Sequence, residues 1–231
     1  MLSALLRDFV NFILPPRRTQ RLVDALTIND LHQLSVGGRL PYHADEAQAL
    51  VWELKYYGNK RAAKLAGEFL SEELLGLAAE ELGRPLLVPV PMHPARQAQR
   101  GHNQTELLCE AALKVLATEG SSEKIVWPDA GPLTAYRRPE DFFSELPSKA
   151  YEYAPQALQR IKNTPHQQGL ERKKRLLNMQ NSMQADKKLV SGRVCVVVDD
   201  VTTTGATLAE AARALKAAGA RKVHCIALAQ S

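Results

Sequence analysis

The sequence is poor in the features that would place it in several common classes. Its 231 residues hold 3 cysteines, Cys109, Cys195 and Cys225, each isolated in an apolar context. No C-x-x-C pair occurs, so neither a zinc ribbon nor a disulfide framework is signalled, and no zinc is expected. Buried, reduced thiols in a cytoplasmic protein are the expectation. No apolar run reaches the about 18 residues that mark a membrane-spanning helix, so no membrane partner is expected. Met1 to Leu14 is apolar, but Arg7 and Asp8 interrupt it and no small-residue cleavage site follows. It reads as an amphipathic helix rather than a signal peptide. Charge of neither sign dominates: 30 Lys and Arg against 25 Asp and Glu leave +5. That excess suits an anionic ligand, and a phosphate-rich small molecule accounts for it as well as nucleic acid does. With 45% hydrophobic residues the chain can bury a substantial core, as one large domain or two small ones.

What is present is concentrated in Arg193 to Thr207. Val194 to Val198 is a β-branched run, the composition of a strand buried on both faces of a parallel sheet. Asp199 and Asp200 follow where that strand leaves the core. Then come Thr202, Thr203, Thr204, Gly205, Ala206 and Thr207, small and mostly hydroxylic. Leu208, Ala211, Ala212 and Leu215 recur at helical spacing, and Gly219 is the stop. The pattern is strand, turn, helix.

Each part has a chemistry. In open α/β sheets ligands sit outside the carboxyl ends of strands. A loop of small residues lets backbone N–H groups converge on an anion, and the following helix N-terminus adds a favourable dipole. Threonine hydroxyls donate to phosphate oxygens. Two carboxylates would repel a phosphate, so they serve a different role. They accept from vicinal hydroxyls, or they bind a hard cation. A ligand with a diol about one sugar away from a phosphate meets both demands. An ordinary helix with an acidic N-cap is the plain alternative.

The rest of the chain reads as α-helices and buried strands. Leu2, Leu5, Leu6, Phe9, Phe12 and Ile13 form a helical stripe ended by Pro15-Pro16. A second helix is expected over Thr19 to Leu34, a third over Tyr42 to Tyr57 and a fourth from Lys60 to Leu82. Leu86 to Val90 reads as a strand, as does Val223 to Ala229. Between Val88 and Gln104, three prolines in seven residues argue for a stiff loop without helix, made basic by Arg96 and Arg100. Asn103 with Glu106 resembles a capping box that starts another helix. Read alone, that loop is a rigid turn with two solvated arginines. Arg172, Lys173, Lys174 and Arg175 form a charge run, ordinarily a solvated face.

The Asp199–Thr207 segment closely resembles the PRPP-binding motif of type I phosphoribosyltransferases. Pro89-Val90-Pro91 followed by Arg100-Gly101-His102-Asn103-Gln104 resembles the signature of the ComF family, competence-associated phosphoribosyltransferase-like proteins. Leu54-Lys55-Tyr56-Tyr57-Gly58 is similar to that family's L-K-Y-x-G. Arg160 to Gln167, with Leu170, Arg175 and Asn178, is similar to a third stretch of the family's pattern. Together the resemblances cover roughly residues 44–116 and 160–229. The chain departs from the family in showing no four-cysteine zinc ribbon. Its stretch from about Ala117 to Leu158 is also longer than the family's usual connection. Trp127, Tyr136, Phe142, Phe143, Tyr151 and Tyr153 lie there, suited to a base pocket, a dimer contact or a surface insertion.

The resemblance implies a type I phosphoribosyltransferase fold: an α/β protein with a parallel sheet flanked by helices, a small helical N-terminal region at residues 1–40, a main domain at residues 41–231 and a flexible hood loop. It implies transfer of ribose 5-phosphate from PRPP, with Mg²⁺, to a nitrogen nucleophile. By that resemblance Asp199 and Asp200 hold the ribose 2′ and 3′ hydroxyls, and they serve Mg²⁺ through water or those hydroxyls. Thr202, Thr203, Thr204, Gly205, Ala206 and Thr207 cradle the 5′-phosphate. Arg96, Arg100 and Gly101 face the pyrophosphate, and Asp199, Asp200 and Arg100 are the candidate catalytic residues. Arg160, Thr164, Gln167, Arg172 and Arg175 belong to the flexible loop. Members acting on 6-oxopurines carry a general-base Asp where this chain has Thr203, which disfavours that acceptor. The competing expectation is a binding module without turnover: a nucleotide sensor or DNA-uptake factor that contacts single-stranded DNA. A homodimer is a further expected partner state.

Overall fold

The computed structural model of the chain describes residues 17–119, 150–162 and 180–231. Its centre is the strand β6, Val194–Thr202, buried from Val194 through Asp200. Four neighbours join it: β7, Lys222–Gln230; β2, Leu86–Pro89; the short edge strand β1, Leu40–Pro41; and the opposite edge β3, Glu152–Tyr153. The five strands run in the order β1-β7-β6-β2-β3. Every neighbouring pair is parallel, as the β-branched runs without polar alternation predict.

The two-residue period of the strands divides the core into two layers. Leu87, Val196, Val198, Ile226 and Leu228 face one side. There they meet α1 (Arg18–Ala25), α2 (Ile28–Leu34), α3 (Asp45–Tyr57), α4 (Lys60–Glu80) and α6 (Gln104–Glu119) through residues such as Val23, Leu31, Leu54, Phe69 and Leu108. Leu86, Val88, Cys195, Val197 and Ala227 face the other side, against Leu208, Ala211 and Leu215 of α8 (Ala206–Ala217). A two-stranded antiparallel ribbon, β4 (Leu158–Arg160) with β5 (Met183–Ala185), joins that second layer. Buried Glu210 of α8 ties the ribbon down, accepting from the Met183 N–H at 3.1 Å and pairing with Arg213 at 2.8 Å. A short helix, α7 (Lys187–Val190), leads into β6.

Three local expectations change. The helix expected over Thr19 to Leu34 is two helices. Thr27 breaks it, because its side chain accepts from Asp30 N–H while the Asp30 carboxylate accepts from the Thr27 N–H at 2.8 Å, a capping box that starts α2. The proline-rich loop contains a helix after all, α5 (Pro94–Arg100). Pro94 stands in its first turn, where a missing N–H costs nothing, and the His93 ring caps the Ala95 N–H. Residues 150–158 close the stretch read as an insertion, yet they build β3 and a 3₁₀ turn at Pro155–Ala157. The Tyr151 hydroxyl donates to the Leu74 carbonyl at 2.6 Å inside the core. Trp127, Tyr136, Phe142 and Phe143 lie outside the described residues, as does the hood segment at 163–179. Among the described residues no helix is long and apolar enough to cross a membrane.

The connections place the site. From β2 the chain moves outward to β3, and from β6 it moves the opposite way to β7. The β6–β2 junction is therefore the switch point of the sheet, where the helices that follow diverge and leave a crevice at the strand ends.

Candidate functional site

The crevice is a cleft of about 370 Å³ over the ends of β2 and β6. Its walls bring together residues from four separate stretches: Lys55 and Tyr56 from α3, Arg96 and Arg100 from α5, Arg160 from β4, and Asp199 to Thr207. The Val90 N–H bonds to the Val198 carbonyl at 2.9 Å, so the two strands stay paired up to the mouth.

Asp199 and Asp200 are both buried, at 6% and 4% exposure. They continue the strand alternation, so they serve opposite layers. Asp200 lies toward α3, with its Oδ2 2.9 Å from the Lys55 ammonium. Its Oδ1 accepts from the Val201 N–H at 2.8 Å. Asp199 accepts from the Asp200 N–H at 2.9 Å, and its field reaches Arg160 on the ribbon side. Burial, then the Asp200 carboxylate beside it, push the Asp199 carboxyl up to about 8. Burial by itself would lower the Lys55 pKa, but Asp200, with Tyr42 and Asp199, outweighs it, and the ammonium is held above its ordinary value. The Asp199 carboxyl is thereby pushed toward its neutral form, while the Lys55 ammonium stays charged beside Asp200.

The threonine loop follows directly. Thr202 to Thr207 all line the cleft. Thr204 Oγ1 accepts from the Ala206 N–H at 3.4 Å. Gly205 caps α8 in the left-handed region, φ 74°, and no atom lies within 4 Å of where a side chain would begin. The loop therefore leaves open space at Gly205, with the first turn of α8 behind it, an arrangement suited to a phosphate.

The arginine side is fixed by polar contacts among the sequence motifs. Arg160 Nε donates to the Pro91 carbonyl at 3.1 Å. The Thr105 hydroxyl and the Asn103 amide both donate to the Val90 carbonyl, at 2.7 and 3.3 Å. Asn103 caps α6 through the Thr105 N–H, and its amide donates to the Glu106 side chain at 3.1 Å. This is a side-chain pair rather than the reciprocal capping box expected from the spacing. His102 Nε2 lies 2.8 Å from the Leu54 carbonyl, and its ring packs against Gly58, which ends α3 at φ 54°. The L-K-Y-x-G and R-G-x-N-Q segments therefore touch, and the Arg100 guanidinium lies 5.0 Å over the Tyr56 ring.

Of the expected site residues, Asp199, Asp200, Thr202, Thr203, Thr204, Gly205, Ala206, Thr207, Arg96, Arg100 and Arg160 share this cleft. Gly101 ends α5 at φ 78° and is not among the lining residues. Arg160 belongs to β4 rather than to a loop. Thr164, Gln167, Arg172 and Arg175 lie outside the described residues. Sequence reasoning assigned Lys55 and Tyr56 no role. The signal for them was the Leu54-Lys55-Tyr56 stretch itself, which sets a lysine directly after the buried Leu54.

Carboxylates so engaged are poor direct ligands for Mg²⁺, which requires several oxygens in near-octahedral array. Asp200 would have to give up Lys55. The residues fit a cation held chiefly by a ligand's own phosphate and hydroxyl oxygens, with Asp199 and Asp200 acting through hydroxyls or water.

Residues 147–231 match the phosphoribosyl transferase domain. The chain is 29% identical over 178 residues to the DNA utilization protein YhgH of Salmonella typhi, covering 76% of this chain and 63% of that protein. It is 28% identical over 185 residues to the protein of that name in Escherichia coli K12, covering 79% and 66%. It is 28% identical over 147 residues to competence protein F of Haemophilus influenzae, covering 63% and 50%. The chain thus spans between half and two thirds of the length of these relatives. Asp199, the threonine loop and Arg160 fall inside the domain match, whereas Lys55, Arg96 and Arg100 fall before it.

Proposed function

We propose that the chain is a phosphoribosyltransferase-like protein of the ComF kind, and that its cleft binds PRPP or a related ribose 5-phosphate nucleotide with Mg²⁺; the domain match over residues 147–231 and the similarity to competence protein F support this reading. The proposed reaction is displacement of pyrophosphate by a nitrogen nucleophile. The carrying observation is the juxtaposition in one cleft of a buried carboxylate pair, a threonine loop at a helix N-terminus and three arginines. The loop takes the 5′-phosphate, and Asp199 and Asp200 accept from the ribose hydroxyls. Arg96, Arg100 and Arg160 face the diphosphate. As the C1–O bond of the ribose breaks, negative charge grows on the departing diphosphate oxygen, and fixed cations nearby favour that growth. Mg²⁺ supplies further charge neutralisation when bound with the ligand. The incoming nitrogen forms the new bond to C1 and releases its proton to solvent.

A ligand that binds only the folded chain raises its melting temperature by mass action. Millimolar PRPP with Mg²⁺ should shift unfolding upward by several degrees, and phosphate alone at the same concentration should shift it far less. No shift with PRPP would defeat this reading.

A second reading, contact with single-stranded nucleic acid, is favoured by one observation. Trp52, Tyr56 and Tyr57 are 47%, 42% and 46% exposed on α3 beside the cleft. The Trp52 and Tyr56 rings lie 4.4 Å apart at a 45° tilt, and the Arg17 guanidinium lies 3.3 Å over Tyr57. Aromatic faces with interleaved arginine bind bases without sequence preference. Under this reading a fluorescent oligothymidine should bind with a steep salt dependence. Replacing Trp52 and Tyr57 by Ala should weaken it at least about tenfold, at about 1–3 kcal/mol per stacked base. Unchanged affinity in that variant would remove the second reading.

A further inference from the structure

Lys55 stands apart from the other cations of the cleft. It comes from α3 rather than from α5 or the ribbon, and its side chain is only 23% exposed. The charged and titratable groups that face it are Asp200, Asp199 and Tyr42. An ammonium carries three donors. A single carboxylate oxygen at 2.9 Å does not use them all. The next residue, Tyr56, carries Arg100 over its ring. Lys55 is therefore adjacent both to the acid proposed for the sugar and to the cation proposed for the diphosphate. A monophosphate is already served by the threonine loop and the α8 N-terminus. Lys55 would add little to a sugar monophosphate and much to a ligand carrying a second anionic group next to the diol.

We propose that Lys55 makes the cleft select a sugar diphosphate over a sugar monophosphate, its ammonium bridging the Asp200 carboxylate and an oxygen of the ligand's 1-diphosphate. The inference rests on the PRPP reading and adds to it the residue that joins the sugar and leaving-group halves of the site. Charge-assisted bonds of this kind are about twice as strong as neutral ones. The simpler role, neutralising Asp200 and nothing more, predicts a different result, because its loss would affect every ligand that needs the acid pair.

The experiment compares affinities for PRPP and for ribose 5-phosphate, each with Mg²⁺, in wild type, Lys55→Met, Lys55→Gln and Lys55→Arg. Lys55→Gln keeps a hydrogen-bond donor beside Asp200 and guards against loss of the fold, which circular dichroism checks. The expected result is a fall of about tenfold or more for PRPP in the Met and Gln variants. Ribose 5-phosphate should stay within about threefold of wild type, and Lys55→Arg should restore most of the PRPP preference. Equal losses for both ligands would overturn the inference, as would an unchanged preference in Lys55→Gln. A wild-type protein that binds neither ligand would instead bring down the underlying reading, so the two failures are distinguishable.

Discussion

Gly67→Val should lower the thermal unfolding midpoint by about 6–12 °C. Helices α4 and α6 cross at Gly67. A Cβ built there would lie 2.6 Å from the Ala111 Cβ and 2.7 Å from both the Ala111 carbonyl carbon and the Ala112 nitrogen. Two of those atoms are backbone, so no side chain can swing aside and the helices must separate. Overpacking of this kind costs about 1–3 kcal/mol for modest insertions and more where backbone must move. At roughly 2–4 °C per kcal/mol for a chain of this size, about 3 kcal/mol gives the stated shift. Gly76, exposed on α4 with nothing within 4 Å of where its side chain would begin, is the internal control. Gly76→Ala should stabilise slightly, by about 0.5–1 kcal/mol, through lower chain entropy in the unfolded state. Scanning calorimetry on both variants reads the two signs. A Gly67→Val protein melting within a degree or two of wild type would show that the α4–α6 contact is looser than these distances imply.

The second large effect is a dissociation between two ligands in the cleft. Asp200→Asn keeps the shape and part of the acceptor capacity of the side chain but removes its charge and the partner of Lys55. Hydrogen bonds to charged groups contribute about 1.5–3 kcal/mol. PRPP affinity should therefore drop at least about tenfold. A phosphate monoester without a diol should bind as before, or slightly more tightly once a repelling carboxylate is gone. Gly205→Val should act differently. At φ 74° a β-branched residue is strained by about 1–3 kcal/mol, and its side chain enters the space proposed for the phosphate. Both ligands should then lose affinity together. Calorimetric titration of each variant with each ligand gives four values. Equal weakening of both ligands by Asp200→Asn, in a protein with native circular dichroism, would contradict the division of labour between the acids and the threonine loop.

Much of this architecture was legible in the chain because local rules and global fold agree there. Val194 to Val198 has one reading, a strand covered on both faces, and its acids and threonines could only fall at the strand's exit. The helical periods of α3, α4 and α8 were equally plain, because one apolar stripe per helix faces one sheet layer. Misreadings arose where a single residue's position within an element outweighed its type. Pro94 breaks a helix interior but begins α5, since the first turn has no N–H to lose. Thr27 ends one helix and caps the next because the Asp30 carboxylate accepts from its backbone N–H.

The sequence by itself determined the central strand, the acidic pair, the threonine loop and the helix behind it, since all lie in the single stretch Val194 to Ala217 and obey short-range geometry. Only the tertiary structure decided what surrounds them. Lys55 and Asp200 are far apart in the chain, yet parallel strand order and the packing of α3 on one layer bring them to 2.9 Å. The strand's two-residue period sent Asp199 and Asp200 toward different layers, so two neighbouring acids acquired different partners, an ammonium for one and burial with a raised pKa for the other. No local pattern encodes that difference, because it depends on which elements cover each face of the sheet.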